Sequence, residues 1–355
     1  MATSPLRILF DIVHPAHVHF YKHIISSLEE KGVETTIVAR EKDVTLDLLN
    51  SYNLPHTSVG RSGQKNMLGQ LGELLNRDWQ IWKLAKEFKP DIICSRSPAG
   101  VQVARLTGAK GIFDTDDGHA AGIHYWAAAP FAHHITTPTC ITENCGKKHI
   151  KYPGFKQSAY LHPDHFTPNN EIYKLLGLAE NEPYFLVRFV AMEASHDRNE
   201  RGLSMDARHS LIKRLQSHGR VFLTAEGEIP ERWRGLQIKI PPHRIHDALA
   251  FATILIGDSH TMTAEAAFLG TPSLRLSSFT GRLTCIEELE HRYHLTNSFL
   301  PENSEGFFNK LDSWLGDPAA VAEVAAGHHQ LLADTKNIAD WYVNFLLKSV
   351  KTGHS

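Results

Sequence analysis

Long uninterrupted apolar runs are missing from the sequence, and no run approaches the length of a transmembrane helix. The N-terminal stretch Met1–Val13 is too short in apolar length for a signal peptide, and no small-residue cleavage pattern follows it. We therefore expect a cytoplasmic protein. An excess of one charge is also missing, because 37 Lys and Arg stand against 39 Asp and Glu. The formal net charge of −2 argues against a general nucleic-acid-binding protein. The four cysteines stand at no spacing familiar from metal sites.

The chain instead has enough length for two domains and a repeated alternation of strand-like and helix-like segments. Its 355 residues include 42% hydrophobic residues, an ordinary share for a globular protein. Arg7–Val13 predicts a buried strand, His17–Lys31 an amphipathic helix and Val33–Ala39 a second strand. Rossmann-like domains begin in this way, although the G-x-G-x-x-G fingerprint is missing here. Because the alternation restarts at the strand Tyr184–Phe189, we place the two domains at residues 1–160 and 161–335.

Four other segments predict elements from weaker patterns. His133–Thr137 is expected to be the last strand of the first domain, and Cys140–Lys148 is expected to be helical. Leu236–Ile240 predicts a strand of the second domain, and Ala319–Leu347 is helical in composition.

The stretch Ile254–Leu276 follows the order strand, polar turn, short helix, helix breaker, strand, which is one βαβ unit of a parallel sheet. The first turn of its helix, at Ser259, His260 and Thr261, offers free N–H groups and the positive end of the helix dipole to a phosphate. Glu265 lies one to two turns further on and could accept both hydroxyls of a ribose. The alternative is a βαβ unit that binds nothing, in which Glu265 is a solvated helix residue.

Three carboxylates and a histidine lie within the six residues Asp114–His119, directly after a short predicted strand. Crowded carboxylates raise one another's pKa, which keeps an acid or base useful near neutral pH. Asp116, Asp117 and His119 are therefore candidate catalytic residues. The alternative is an acidic loop that caps the next helix.

The first strand is followed by a turn that carries His14, His17 and His19. His17 begins the predicted helix and is a candidate for substrate contact or for a general base. Two alternatives remain open, namely a structural hydrogen bond and a metal site made by the three histidines. Helical geometry disfavours the metal site, since positions 17 and 19 do not share a helix face.

Charged loops after two other strands are candidate anion sites. Arg188 stands at the end of the strand Tyr184–Phe189, where an arginine can pair bidentately with a diphosphate. His196 lies in the same exit loop and is a further candidate for that ligand, although each residue could also be an ordinary surface residue. The loop Ser95–Ser97 could meet an anion as well.

The segment Gly257–Pro272, GDSHTMTAEAAFLGTP, resembles the nucleotide-binding segment of UDP-N-acetylglucosamine 2-epimerases and other GT-B-type enzymes. In those families a Ser/Gly turn holds the diphosphate and the following Glu holds the ribose. The resemblance thus implies phosphate contacts by Ser259, His260 and Thr261 and a ribose contact by Glu265. The chain departs from the epimerases in two places. They have glycine at the positions of His260 and Thr261, and a His-Val-Glu-Ala-Gly motif where Asp116–His119 stands, which counts against epimerase activity.

A second resemblance covers most of the chain. The run Asp11–Phe20, DIVHPAHVHF, resembles the opening of a domain-of-unknown-function family regarded as predicted glycosyltransferases. Further shared landmarks are Tyr152–Gly154, Ala159–Leu161 and the nucleotide-binding segment described above.

Together the resemblances imply an α/β fold of GT-B type, with two Rossmann-like domains facing each other across a cleft. Residues 336–355 would form a C-terminal helix that packs back on the first domain. The implied function is a glycosyltransferase that moves a sugar from a nucleotide-sugar, with a UDP-sugar favoured, to a sugar or lipid-linked acceptor. It would use no metal and no cofactor, with acceptor binding and the base in the first domain. The alternatives are a UDP-sugar 2-epimerase or hydrolase and a non-catalytic sugar-nucleotide-binding protein, and peripheral contact with a membrane also remains open.

Overall fold

A computed structural model describes residues 5–61, 67–190, 203–225 and 228–351. The chain divides into two compact units, of which the first combines Met1–His165 with Thr335–Ser355 and the second is Phe166–Asp334. Within the described ranges, no helix is both long enough and apolar enough to cross a membrane.

The first unit is an α/β layer structure built on parallel strands. Its strands are β1 (Arg7–Ile12), β2 (Glu34–Glu41), β3 (Thr57–Arg61), β4 (Ile92–Ser95), β5 (Lys110–Asp114), β6 (His134–Pro138) and β7 (His149–Tyr152). Its helices before the second unit are α1 (Pro15–Glu30), α2 (Thr45–Ser51), α3 (Met67–Phe88), α4 (Pro98–Thr107), α5 (Ile123–Ala128) and α6 (Ser158–Leu161). The described strands form one seven-stranded sheet in the order β3-β2-β1-β4-β5-β6-β7. Strand β1, RILFDI, is central and buried from Ile8 onward, because helices cover both faces of a parallel sheet.

The second unit repeats the same architecture with fewer strands. Its strands are β8 (Tyr184–Phe189), β9 (Arg220–Ala225), β10 (Ile254–Gly257), β11 (Ser273–Leu276) and β12 (Thr296–Phe299). Its helices are α7 (Ile172–Leu176), α8 (Met205–Gln216), α9 (Ile245–Ala250), α10 (His260–Leu269), α11 (Thr284–His291), α12 (Ser304–Gly316) and α13 (Ala322–Asp334). The described strands form a parallel sheet in the order β12-β11-β10-β8-β9. Apolar side chains of β8, β10 and β11 fill the core on both faces of this sheet.

The last helix, α14 (Ile338–Lys351), belongs to the first unit. It packs against α1 and α6. Its Tyr342 is fully buried, and the hydroxyl lies 2.6 Å from Thr136 Oγ1 and donates to Asp114 Oδ2 at 3.3 Å. The C-terminal segment therefore reaches the strand ends of the first sheet.

Several sequence predictions of single elements are wrong. The strand at residues 134–138 is not the last of its sheet, because β7 follows it, and residues 140–148 form turns and loops instead of a helix. Residues 237–240 lie outside the second sheet apart from one isolated bridge, Leu223 to Gln237. The helical C-terminal region is interrupted between α13 and α14, where Asn337 accepts hydrogen bonds from the N–H groups of Ala339 and Asp340 and so begins a new helix.

The carboxyl end of β1 is held by a buried acidic residue. Asp11 is fully buried; it forms an ion pair with Arg77 and accepts hydrogen bonds of 2.7 Å from the hydroxyls of Ser95 and Ser97. The anion that the Ser95–Ser97 loop meets is therefore the chain's own Asp11. Helix α4 can approach Ser95 and Asp11 closely because its Gly100 has no side chain. A Cβ there would lie 2.5 Å from Ser95 Cβ and 2.8 Å from Asp11 Oδ2.

We predict that Gly100→Ala lowers the free energy of unfolding by about 1–3 kcal/mol, the usual cost of overpacking a tight interior. Urea-induced unfolding followed by circular dichroism measures the change. The matched control is Gly72→Ala in α3, where a Cβ meets nothing within 4 Å, and where the helix propensity of alanine should leave stability unchanged or raised. Equal stability of Gly100→Ala and wild type would contradict the packing described for Asp11.

Candidate functional site

The strand order of the second sheet reverses between β8 and β10, since the chain continues to β9 on one side and to β11 and β12 on the other. Open α/β sheets bind ligands outside the carboxyl ends of their strands at such a point. Arg188 of β8 pairs in register with Gly257, the last residue of β10, and Asp258 N donates to Arg188 O at 3.2 Å. A Cβ on Gly257 would lie 1.9 Å from Arg188 O, so glycine is required there. The candidate phosphate turn therefore begins directly beside Arg188.

Helix α10 begins at this turn with a capped N-terminus. Ser259 is the N-cap, and its hydroxyl oxygen accepts a hydrogen bond of 3.3 Å from Met262 N. His260 and Thr261 follow as the first two helical residues, and both are half-buried. Asp258 directs Oδ1 to Val190 N at 2.7 Å, and burial raises the pKa of this carboxyl group. The turn thus presents N–H groups and the positive end of a ten-residue helix, the arrangement that favours an anion.

Arg188 lies half-buried at the same strand ends. Its Nη1 donates to Thr224 Oγ1 of the neighbouring strand β9 at 3.2 Å. This contact holds the guanidinium at the carboxyl edge of the sheet, where its planar donors suit a diphosphate.

Glu265 lies inside the second unit, where only 4% of its surface is exposed. Its Oε1 is 3.2 Å from Nε2 of His246, which is also buried. The alternative that Glu265 is a solvated helix residue is therefore wrong. A buried carboxylate can accept hydrogen bonds from hydroxyl groups.

The first sheet also reverses its strand order, between β1 and β4. The segments that follow β1, β4 and β5 carry His17, at the start of α1, and Arg96 and Asp116 to the same edge. Arg96 forms ion pairs with both Asp114 and Asp116, and Lys156 Nζ lies 2.5 Å from Asp116 Oδ2. Two cations and two carboxylates are thus joined by ion pairs at the strand ends, and their side chains are mostly buried.

The two neighbouring carboxyl groups of this loop differ in electrostatic state. Burial alone would raise the pKa of Asp116, but the ammonium of Lys156 and the guanidinium of Arg96 outweigh it and hold the pKa well below its usual range. Partial desolvation, followed by the charge of Asp116, raises the pKa of Asp117. The Asp117 side chain still reaches solvent, so part of its charge remains hydrated. Asp117 is therefore better suited than Asp116 to take up a proton.

His17 is close enough to Arg96 and Lys156 for their charges to act on it. Burial, followed by these cations, lowers the pKa of His17 well below its usual value, so the ring is neutral near pH 7. Its Nδ1 accepts a hydrogen bond from Val13 N at 3.4 Å, which places the ring proton on Nε2. His17 in this state is a hydrogen-bond donor and is poorly suited to act as a base.

His119 takes a different position from the carboxylates beside it in sequence. It lies in the 3₁₀ turn Gly118–Ala121, where its ring stacks on Trp126 at 5.2 Å and meets the edge of Tyr125 at 4.6 Å. Asp114, in contrast, is buried between Arg96 and Tyr342. The acidic cluster of the sequence is therefore divided among three environments.

Some residues of the site were not predicted, and one predicted residue cannot be placed. Lys156 carried no signal, because it stands in a segment rich in proline, glycine and aromatic residues that resembled a connection. His246 also carried no signal, because it stands within a polar run of the sequence. His196 lies outside the described residues. Among the residues that are described, no three His, Cys, Asp or Glu side chains are grouped so as to hold a metal ion.

We predict that Asp116→Asn lowers the free energy of unfolding at pH 7 by about 3 kcal/mol, because Arg96 and Lys156 then lose a buried partner. The folded state lowers the pKa of Asp116, so ionised Asp116 stabilises the fold above the ordinary carboxyl range, and this contribution disappears as the pH falls. The difference between variant and wild type should therefore shrink below about pH 4. Urea titrations at several pH values measure it.

The control for this prediction is Asp312→Asn, which breaks an exposed ion pair with Arg214 and should change stability by less than about 1 kcal/mol. An Asp116→Asn variant as stable as wild type at pH 7 would show that the two cations do not depend on this carboxylate.

Solved structures of similar fold cover nearly the whole chain. The UDP-N-acetylglucosamine 2-epimerase of Neisseria meningitidis, solved with UDP-N-acetylglucosamine, superposes with a TM-score of 0.70 at 12% identity and covers 97% of this chain and 100% of its own. A glycosyltransferase of Streptomyces sp. SF2575 has a TM-score of 0.61 at 13% identity and covers 96% and 99% of the two chains. These likenesses confirm the predicted fold class, two parallel-sheet α/β domains of GT-B type.

Sequence comparison gives a family. An uncharacterized protein of Methanocaldococcus jannaschii is 25% identical over 281 residues, which is 76% of this chain and 81% of the relative. The family model described as "Protein of unknown function (DUF354)" matches residues 6–298. Since that match spans most of the chain, this protein belongs to the DUF354 family.

Proposed function

We propose that this protein is a metal-independent glycosyltransferase that moves a sugar from a UDP-sugar to an acceptor hydroxyl. The observation that carries the proposal is the capped N-terminus of α10 beside Arg188, at the strand-order reversal of the second sheet. Backbone N–H groups and an arginine at such a point suit the diphosphate of a nucleotide-sugar. The shared fold of enzymes that handle nucleotide-sugars supports the same assignment by analogy.

The second unit would bind the nucleotide and stabilise the leaving group. As the bond between the anomeric carbon and the diphosphate oxygen breaks, negative charge develops on the diphosphate. Arg188 and the first-turn N–H groups at Ser259, His260 and Thr261 would accept that charge, and such fixed donors are worth more in the departing state than in the bound substrate. Glu265 would hold the ribose hydroxyls.

The first unit would supply the acceptor side of the reaction. The acceptor oxygen forms a bond to the anomeric carbon, and its proton passes to the carboxylate of Asp117. The raised pKa of Asp117 suits this transfer, whereas Asp116 is held ionised by Arg96 and Lys156. In this assignment Asp116 and Arg96 fix the loop, and neutral His17 donates a hydrogen bond from Nε2. The acceptor would be a sugar or a lipid-linked sugar.

A second candidate function is epimerisation or hydrolysis of the same UDP-sugar. The higher TM-score to the epimerase, 0.70 against 0.61 for the glycosyltransferase, favours it. The Asp116–His119 loop counts against epimerisation, because it replaces the His-Val-Glu-Ala-Gly motif of epimerases. A third candidate, a sugar-nucleotide-binding protein without catalysis, shares the binding site but produces no turnover.

Calorimetric titration with UDP and a panel of UDP-sugars tests the proposed binding site. We expect wild type to bind UDP with micromolar affinity and to prefer it to 2′-deoxy-UDP by about tenfold, the scale of one charged hydrogen bond. Glu265→Gln should lose most of that preference. His246→Asn removes the partner and retains the carboxylate, so it should keep the preference. If no uridine nucleotide binds, the UDP-sugar assignment is wrong in all its forms.

Product analysis decides between the reactions. With a UDP-sugar and candidate acceptors, free UDP with a new glycoside indicates transfer, an altered sugar indicates epimerisation and free sugar indicates hydrolysis. Asp117→Asn should lower turnover by about 10²–10⁴-fold, the usual contribution of a general base, while UDP affinity stays unchanged. The exposed Asp43→Asn serves as the control in the same unit. Unchanged turnover in Asp117→Asn would remove this residue from the catalytic role.

A further inference from the structure

A charged residue lies in the middle of a buried strand in the second unit. Strand β11 is Ser273-Leu274-Arg275-Leu276, and all four residues are buried. Arg275 has no exposed surface, and it is one of the largest fully buried side chains among the described residues. A buried charge costs several kcal/mol unless partners compensate it, so the contacts of this guanidinium need an explanation.

Arg275 points to the start of α10. Its Nη1 lies 2.8 Å from Nδ1 of His260, the first residue of that helix, and its Nε donates to Ser298 Oγ at 3.2 Å. Its Nη2 is buried and has no hydrogen-bond partner among the described residues. Glu287 and Glu290 are the acidic groups whose charges act on it. Each of them directs Oε1 to a backbone N–H group, of Gly281 and Ser298 respectively.

The contact with Arg275 determines the state of the His260 ring. A guanidinium has donors and no acceptor, so Nδ1 of His260 must accept the hydrogen bond. The proton of the neutral ring is then on Nε2. The ring also meets the edge of Phe279 at 5.2 Å, which restricts its rotation. The first residue of α10 is therefore held as a hydrogen-bond donor by a cation behind it.

We propose that Arg275 is an anion-site residue, and that its guanidinium, the Nε2–H of His260 and the first turn of α10 together bind the diphosphate of the nucleotide. This inference rests on the proposed function and extends it to a residue outside the turn. Three kinds of donor then converge on one anion, namely a helix N-terminus, a neutral imidazole and a buried guanidinium. Nη2 is closed off in this structure, so a diphosphate oxygen that reaches it must displace the groups packed over it, and the oxygen would then complete the hydrogen bonding that the described residues leave unsatisfied.

The two residues form one unit in this proposal. Epimerases that the turn resembles have glycine at the position of His260, so their backbone alone approaches the phosphate. Here the side chain of His260 occupies that position. Because Arg275 donates to Nδ1, the Nε2–H group of His260 can donate a hydrogen bond to the phosphate. The expected signature is an energetic coupling between Arg275 and His260 that appears only with phosphate-bearing ligands.

Calorimetry with three probes, UDP, inorganic pyrophosphate and uridine, tests the proposal. The proteins are wild type, Arg275→Met, Arg275→Lys, His260→Ala and the double variant Arg275→Met/His260→Ala. We expect Arg275→Met to weaken UDP and pyrophosphate by about tenfold or more and to leave uridine unchanged. His260→Ala alone should weaken the same two probes, and the double variant should lose less than the sum of both effects. Arg275→Lys should recover part of the affinity.

Two controls separate binding from folding. Arg234→Met removes an exposed cation of the same unit and should change UDP affinity by less than about twofold. If Arg275→Met does not fold, the comparison uses Arg275→Lys together with the imidazole ¹⁵N spectrum, in which His260 of wild type should carry its proton on Nε2. A proton on Nδ1 would overturn the proposal independently of any ligand.

The outcomes distinguish this inference from the proposed function. If wild type binds UDP and folded Arg275→Met binds it equally well, the inference is wrong and the proposed function stands. If wild type binds pyrophosphate in an Arg275-dependent way but binds no uridine nucleotide, the anion site stands and the proposed function is wrong. If wild type binds neither UDP nor pyrophosphate, both are wrong.

Discussion

Compensation of buried charge is the constraint on which both units depend. Ionised side chains inside a protein are tolerated when opposite charges and hydrogen bonds replace water, and both units contain such side chains. In the first unit Asp116 is compensated by Arg96 and Lys156, which arrive on different segments. In the second, the charges of Glu287 and Glu290 act on the buried guanidinium of Arg275 in β11. The ion pairs of Asp116 fix the loop after β5, so the group proposed for proton transfer is held in place before any ligand arrives.

The parts of the fold that the sequence predicted are those with a strong local signal. Strand β8 lies where the apolar run indicated, and the GT-B fold class, expected from motif resemblance, is confirmed. The failures lie where local signal is weak. Strand β7 has four residues at the edge of its sheet and only Tyr152 is buried, so it lacks the apolar run of a central strand. Residues 237–240 alternate like a strand, but they form only one isolated bridge to β9.

The candidate site follows the same division. The cap at Ser259 was predictable because a turn and its helix are neighbours in sequence. The ion pair between Lys156 and Asp116 was not predictable, since no local pattern indicates which distant residue will neutralise a carboxylate. His119 is close to Asp116 in sequence, but its ring packs on Trp126, a contact that no local pattern indicated. Arg275 did carry a signal, because a charged residue in an otherwise apolar strand indicates a specific buried partner. The roles assigned to these residues remain predictions.

The contact between Tyr342 and Asp114 has a consequence for the order in which the chain can fold during synthesis. Asp114 is the last residue of β5, whereas Tyr342 belongs to α14, and the whole second unit lies between them in the chain. A ribosome therefore completes the second unit before α14 can dock on α1 and α6. Until then the nascent first unit exposes the apolar surface that α14 covers, including that of Phe20, which packs against Tyr342. The second unit can reach its native state first, although it is the later of the two to begin.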